Sequence, residues 1–127
     1  MIIAVDFDGT IVENRYPEIG EFRPGAVEAL RKLKRDGYQL ILWTCRTGLE
    51  LARAVAVCAE AGIRFDAINA NLRSEVVKYG SDSRKINADI YVDDRGLSKL
   101  PDWSNIYTEI REKLPLYPDV VINEGYL

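Results

Sequence analysis

Near its start the chain reads Ile2-Ile3-Ala4-Val5-Asp6-Phe7-Asp8-Gly9-Thr10. The first four of these residues are apolar and rich in β-branched side chains, which is typical of a strand buried on both faces of a sheet. Asp6 and Asp8 follow, two residues apart and therefore on one face of the extended chain, where the strand breaks into a turn. The stretch predicts a buried strand with an acidic site at the edge of its sheet.

Beyond this strand, helical and strand patterns alternate along the chain. Apolar residues at helical spacing, bounded by proline or glycine, predict helices at 24–36, about 49–61 and about 104–114. Short apolar runs predict strands at 39–43, 67–68 and 90–92, polar composition predicts loops at 11–23 and 70–84, and 120–122 is interpreted as an edge strand or subunit contact. The alternation predicts a three-layer, Rossmann-like α/β/α fold with a mainly parallel central sheet.

Polar residues stand at the ends of several predicted strands. Connections between parallel strands are right-handed, so the carboxyl ends of the strands share one edge, where open α/β sheets bind ligands. The residues at that edge are Asp6, Asp8, Thr44, Asp93 and Asp94, and Lys85 precedes the fourth strand. Carboxylates, a hydroxyl and an ammonium together indicate a metal-assisted phosphate site.

Length and composition are those of an ordinary globular protein. The chain has 127 residues, 47% of them hydrophobic and 29% charged, and we expect one domain over residues 1–127. No apolar run approaches the roughly 20 residues of a membrane span, and the start lacks the basic region of a signal peptide, so we expect no membrane partner and a cytoplasmic location. A net charge of −3 argues against general nucleic-acid binding.

The chain contains no histidine and two cysteines, Cys45 and Cys58. The absence of histidine excludes Ser-His-Asp and Cys-His nucleophile pairs and every zinc site that needs a histidine ligand. Two cysteines are too few for a metal cluster, and both are interpreted as packing residues. Catalysis in this chain therefore has to use carboxylates, lysine or a hard metal ion.

The order and context of these residues resemble the four motifs of the haloacid dehalogenase-like (HAD) superfamily. The matching positions are the run from Asp6 to Thr10, then Thr44 after an apolar strand, Lys85, and the pair Asp93-Asp94. The resemblance covers residues 2–94, and its first motif is the most specific. Within that superfamily the chain looks like a small phosphatase without a cap domain.

The resemblance implies a role for each matching residue. Asp6 would be the nucleophile that forms an aspartyl-phosphate, and Asp8 would be the general acid and base. Mg²⁺ would be held by the carboxylates of Asp6 and Asp93 and the backbone carbonyl of Asp8, with Asp94 contributing through water. Thr44 and Lys85 would hold the phosphoryl oxygens.

Ordinary structural roles remain alternatives for these residues. Asp6 suits the end of a strand, and Asp8 with Gly9 suits a turn. The pair Asp93-Asp94 suits a solvated turn with a capping role. Thr44 or the nearby Thr47 suits a helix N-cap. A surface position is usual for a lysine such as Lys85.

The missing cap bears on the substrate. Residues 11–23 and 70–84 are far shorter than the roughly 50 residues of an independent domain. We therefore expect an open site that takes a phosphorylated small molecule or a phosphate on a larger substrate, or a site covered by a neighbouring subunit in a homo-oligomer. Asn69 and Asn71 are candidate substrate contacts.

Two functions of different classes remain beside the Mg²⁺-dependent phosphomonoester hydrolase. One is a phosphate-accepting signalling module that resembles response-regulator receivers, although in those proteins the adjacent acids follow the first strand. The other is a phosphate-binding scaffold that has kept the site and lost turnover. Phosphoryl transfer between sugars uses the same acids and also stays open.

Overall fold

Four parallel strands form the central sheet. In a computed structural model, which describes residues 1–116, they are β1 (Ile2–Val5), β2 (Gln39–Leu42), β3 (Ala67–Ile68) and β4 (Ile90–Val92), in the order β3-β2-β1-β4. Val5 is in register with Leu42 on one side and with Val92 on the other. Because these three strands end at the same level, the residues that follow each of them emerge at one edge, as the sequence predicts.

One face of the sheet packs against three helices. These are α1 (Ala26–Asp36), α2 (Gly48–Glu60) and α4 (Trp103–Lys113). Strand residues such as Ile3 and Leu40 are fully buried against Leu30 and Leu33 of α1, Cys58 of α2 and the apolar side of α4. The predicted helices are therefore present, with α1 beginning two residues after Pro24 because Gly25 adopts a left-handed conformation before the first turn.

The other face carries a smaller apolar cluster and one further helix. Ile2, Ala4 and Ile41 pack there with Leu72 and Ile86. Helix α3 (Arg73–Tyr79) follows Leu72 directly and ends at Gly80, whose φ is +76° and whose N–H bonds the Val76 carbonyl. The prediction of a loop over 70–84 is wrong for these residues. No α3 residue is buried, so the segment lacks the apolar spacing that identifies a helix.

The three layers make a Rossmann-like α/β/α fold, and no cap domain is present within residues 1–116. Residues 11–23 form the predicted loop, which is fixed by hydrogen bonds from Glu13 N to Glu21 O and from Arg23 N to Ile11 O. No helix among the described residues is long and apolar enough to cross a membrane. The strand or subunit contact predicted at 120–122 lies outside the described residues.

Candidate functional site

A cavity of about 470 Å³ lies at the carboxyl edge of the sheet. Its walls are formed by Asp6, Asp8, Asn14, Tyr16, Thr44, Cys45, Arg46, Asp93, Asp94 and Arg95. Five of the six side chains that the sequence predicts for the site are in this set, and the sixth, that of Lys85, is outside it. Segments that are distant in sequence thus converge on one cavity.

Three carboxylates form the most acidic part of the cavity. Asp6, Asp93 and Asp94 each offer an oxygen, and these oxygens all lie within 4.8 Å of one another. Hard divalent cations such as Mg²⁺ take carboxylate oxygen ligands, so the donor set fits such an ion. Asp8 is not a member of this group, and its predicted contribution is a backbone carbonyl.

Asp6 differs electrostatically from an ordinary aspartate. Burial raises the pKa of its carboxyl group to about 7, and the hydrogen bond with Asp94 and the charges of Asp93 and Asp94 add to the increase. The Thr10 hydroxyl opposes these effects by donating a hydrogen bond of 2.9 Å to Asp6 Oδ2. A cation bound by the three carboxylates would remove the repulsion that disfavours the ionised form.

Thr10 connects the acidic group to the core. Its hydroxyl oxygen accepts a 3.0 Å hydrogen bond from the Asp94 backbone N–H while the hydroxyl donates to Asp6. Its carbonyl accepts bonds from Trp103 Nε1 at 2.8 Å and from Arg23 Nη1 at 3.2 Å. Thr10 is fully buried, and sequence reasoning assigned it no role beyond its place in the first motif.

Gly9 allows Asp94 to approach the first strand. Its φ is +87°, and a Cβ at this position would lie 2.3 Å from Asp94 Oδ2. Real Cβ atoms do not make such contacts, so any larger residue would displace the Asp94 carboxylate. The glycine is therefore part of the construction of the acidic site.

Asp8 is paired with Arg46 instead of facing the three acids. Arg46 Nε donates to Asp8 Oδ2 at 2.7 Å and Nη2 donates to Asp8 Oδ1 at 2.8 Å. The arginine is 1% exposed, and it is the largest charged side chain in the buried interior of residues 1–116. Sequence reasoning missed this pair. The one indication of the pair in the sequence was the charged Arg46 shortly after a buried strand.

Thr44 is held by the end of the neighbouring strand. Its N–H donates a 2.8 Å hydrogen bond to Asn69 Oδ1, and its hydroxyl oxygen accepts a 3.1 Å bond from the Arg46 N–H. Asn69 has a φ of +52°, which few residues other than glycine adopt. Thr47 stands at the N-cap position of α2 without a side-chain capping bond. The hydroxyl of Thr44 therefore shapes the turn that reaches the cavity.

Other candidates from the sequence lie elsewhere. The Lys85 ammonium is over the Tyr91 ring, 5.7 Å from its centroid. Neither Asn69 nor Asn71 lines the cavity, and the Asn71 amide bonds Asp82 and Ser83 instead.

The two cysteines differ in environment. Cys58 is buried in the core as predicted, and burial raises its pKa to about 12. The prediction is wrong for Cys45, which is exposed in the cavity wall because the turn after β2 faces outward.

The chain is similar in sequence and structure to a solved structure of a conserved protein from Bacteroides thetaiotaomicron. The two are 48% identical, with a TM-score of 0.82, over 89% of this chain and 91% of that chain. No model of a protein family matches the chain, and no curated protein matches it.

Proposed function

We propose that this chain, which belongs to the same family as the conserved Bacteroides thetaiotaomicron protein, is a Mg²⁺-dependent phosphomonoester hydrolase of the HAD type. The observation that carries the proposal is the meeting of the Asp6, Asp93 and Asp94 oxygens within 4.8 Å in a cavity that also includes Asp8 and Thr44. The motif resemblance supplies the reaction class.

Asp6 would act as the nucleophile. One of its carboxylate oxygens would attack phosphorus, forming the P–O bond of an aspartyl-phosphate while the ester P–O bond breaks. Water would then attack the same phosphorus, releasing inorganic phosphate and restoring the carboxylate. The position of Asp6 directly after the central strand supports this role, because a rigid strand end holds the attacking oxygen in place.

The carboxylates of Asp6, Asp93 and Asp94 would hold Mg²⁺, with the Asp8 carbonyl as a further ligand from the motif pattern. When bound, the metal supplies positive charge that offsets repulsion between the anionic nucleophile and the anionic phosphate. Thr10 would keep Asp6 oriented through its hydroxyl. Gly9 would keep Asp94 close to that group.

Asp8 would act as the general acid and base. Its carboxylate would take a proton from the attacking water and give that proton to the departing alcohol oxygen of the next turnover, and the protonated oxygen would keep a lone pair for its hydrogen bond with Arg46. Thr44 would hold phosphoryl oxygens. Lys85 is the second candidate for this role from the motif resemblance, and its ammonium lies over the Tyr91 ring, outside the cavity.

The cavity supports a substrate of small size. About 470 Å³ is within the usual range for small-molecule sites. A phosphorylated metabolite is therefore the proposed substrate, and a phosphate at the exposed end of a larger molecule is the alternative. Tyr16 and Asn14 on one side and Arg95 on the other would contact the part of the substrate beyond the phosphate.

The proposal is tested by phosphate release from a panel of phosphorylated metabolites and nucleotides, with Mg²⁺ and with EDTA. We expect metal-dependent release by the wild type and none by Asp6→Asn, because that variant loses the nucleophile and one metal ligand. Asp36→Asn, on α1 away from the cavity, is the control and should retain activity. Release by Asp6→Asn at the wild-type rate would contradict the covalent mechanism.

A phosphorylated protein that persists without turnover would support the phosphate-accepting alternative. Mass spectrometry after incubation with acetyl phosphate and Mg²⁺ distinguishes the two functions. The hydrolase returns to its unmodified mass within the time of the assay, whereas a signalling module keeps the added phosphoryl group. Asp6→Asn should gain no mass in either case.

A further inference from the structure

We infer that Arg46 is a positioning residue for the general acid and base Asp8. Arg46 holds the Asp8 carboxylate in one orientation and connects it by hydrogen bonds to the loop of residues 14–18. The inference rests on the proposed hydrolase. The hydrogen bonds of the buried Arg46 guanidinium group support it.

Every N–H donor of this guanidinium group has an acceptor inside the protein. Arginine has five such donors. Two go to Asp8, at 2.7 and 2.8 Å, and the others go to the carbonyls of Glu18 at 2.9 Å, Pro17 at 3.1 Å and Glu50 at 3.3 Å. No donor is left for an incoming phosphate. Arg46 therefore lines the cavity without being a ligand of the substrate.

The surroundings of the guanidinium group also restrict its movement. Its Cζ lies 5.2 Å from the centroid of the Phe7 ring and 5.0 Å from that of Tyr16. The side chain is 1% exposed. The charge of this guanidinium group is therefore shielded from solvent and interacts with the neighbouring protein groups.

The consequence for Asp8 is a fixed carboxylate. Both of its oxygens accept from the planar fork of Arg46, an arrangement that sets the rotation of the carboxyl group as well as its position. Lysine has one nitrogen, so it reaches both carboxylate oxygens from a single point, as Lys34 does with Asp66, and does not fix the plane of the carboxyl group as two nitrogens do. An Arg46→Lys variant would keep the positive charge and lose the orientation of Asp8.

Arg46 also connects Asp8 to the loop of residues 14–18, which forms part of the cavity wall. The carbonyls of Pro17 and Glu18 belong to the loop that brings Asn14 and Tyr16 into the cavity wall. The Glu50 carbonyl belongs to the first turn of α2. One side chain thus sets the relative positions of Asp8, this loop and the start of α2.

The test is a double-mutant cycle with two kinds of leaving group. Turnover is measured for the wild type, Arg46→Lys, Asp8→Asn and the double variant, using an alkyl phosphate and p-nitrophenyl phosphate. Because general acid catalysis matters most for a poor leaving group, we expect Arg46→Lys to lower kcat/KM, which reports the step in which the alcohol departs, about 100-fold for the alkyl ester and much less for the aryl ester. In the Asp8→Asn background the same change should alter kcat/KM by less than about twofold.

The controls separate positioning from folding and from direct binding. Arg53→Lys, on the exposed side of α2, should leave both rates unchanged. Equal losses for the two leaving groups, or independent losses in the double variant, would overturn the positioning role. If the wild type shows no turnover, both the proposed function and this inference are wrong. Equal losses for the two leaving groups, or independent losses in the double variant, would contradict the role of Arg46 but not the hydrolase function.

A second measurement decides the matter if Arg46→Lys does not fold. In the wild type, the ¹⁵N signals of the Arg46 Nε and Nη atoms are followed by NMR while inorganic phosphate is added with Mg²⁺. If no coupling through a hydrogen bond is detected between these ¹⁵N nuclei and the ³¹P nucleus of the bound phosphate, the donors are engaged by the protein as inferred. Such a coupling would identify Arg46 as a phosphate ligand and overturn the inference.

Discussion

The Asp94 carboxylate lies so close to Gly9 that no side chain fits at position 9. A Cβ on Gly9 would meet Asp94 Oδ2 at 2.3 Å, and the φ of +87° is unfavourable for L-residues in any case. The acidic group thus depends on a residue that carries no functional atom. Its substitution tests the geometry of the site without removing a carboxylate.

We predict that Gly9→Ala is more harmful than Gly80→Ala, although both glycines have positive φ. Nothing lies within 4 Å of a Cβ at Gly80, so that variant meets only the backbone cost of about 1–2 kcal/mol in the free energy of unfolding. Gly9→Ala adds the collision with Asp94. Urea denaturation should show the larger loss for Gly9→Ala, and this variant should also lack the rise in Tm that we expect Mg²⁺ to give the wild type.

The result that would contradict this reasoning is a Gly9→Ala protein whose Tm still rises with Mg²⁺ as much as that of the wild type. Such a protein would mean that Asp94 moves without loss of the site. Gly80→Ala is the matched reference, since it is expected to keep the full response to Mg²⁺.

At the scale of single residues, the sequence predicted the acids better than their partners. Asp6, Asp8, Asp93 and Asp94 follow strand ends, which periodicity alone can place at one edge of a sheet. Arg46 and Thr10 act through loop carbonyls and backbone amides, whose positions depend on the folded path of the chain. No local pattern contains that information.

At the scale of elements, the turn after β2 is supported by the end of β3. Asn69 follows the two-residue strand in a left-handed conformation, and its side-chain oxygen accepts the Thr44 N–H at 2.8 Å. Its amide nitrogen lies 3.5 Å from the Arg46 carbonyl. Two turns are thereby joined, and the candidate phosphate contact of Thr44 depends on a residue outside the cavity.

We predict that Asn69→Ala lowers the free energy of unfolding by about 1–3 kcal/mol, because the half-buried Thr44 N–H loses its acceptor. Turnover should fall as well, since the turn that carries Thr44 and Arg46 is less well fixed. Asn105→Ala, on the exposed side of α4, should change stability by no more than about 0.5 kcal/mol. Chemical denaturation and steady-state kinetics on both variants check the expectation.

The variant Asn69→Gly separates the left-handed backbone conformation of Asn69 from the hydrogen bond that its side chain accepts. Glycine adopts a φ of +52° without strain but offers no acceptor. If the hydrogen bond is what matters, Asn69→Gly should be as slow in turnover as Asn69→Ala. Normal turnover by the glycine variant would assign the role to backbone conformation instead.

The helices show where elements are predictable. Helices α1, α2 and α4 each bury apolar residues at helical spacing, and the sequence identified all three. Helix α3 buries none and was predicted as loop. Because α3 contributes no buried residue to the core, it has no apolar period, and its ends are marked by the buried Leu72 before it and by the C-cap of Gly80 after it.

At the scale of the whole molecule, the order of the strands decides which acids meet. The alternation of strands and helices predicted a parallel sheet, but the order β3-β2-β1-β4 requires the chain to cross back over β2 and β1 after β3, which the alternation does not specify. That crossing brings Asp93 and Asp94 beside Asp6. The closeness of these acids is therefore a result of topology.

We predict that the stability of the metal-free protein changes with pH through Asp6. Its folded pKa of about 7 lies above the ordinary value of 3.8, so the folded protein holds the proton more tightly than the unfolded chain. The stabilising contribution is complete below about pH 4 and is lost as the pH rises through 7. In EDTA, the Tm of the wild type should therefore fall relative to that of Asp6→Asn between pH 5 and pH 8.

Mg²⁺ provides the control for this effect. At pH 8 it should raise the Tm of the wild type and leave that of Asp6→Asn nearly unchanged, because binding to the folded state alone is stabilising. A Tm difference between the two proteins that stays constant with pH in EDTA would contradict the raised pKa of Asp6.

The contact between Trp103 and Thr10 has an optical consequence. Trp103 is buried, and its indole N–H donates a hydrogen bond to the Thr10 carbonyl. The Thr10 hydroxyl donates to Asp6 and accepts from the Asp94 backbone N–H. A rearrangement of the acids therefore reaches the chromophore through one residue. The protein carries a built-in fluorophore beside its acidic centre, and with Trp43 replaced by phenylalanine its emission would report occupancy of that centre without any added dye.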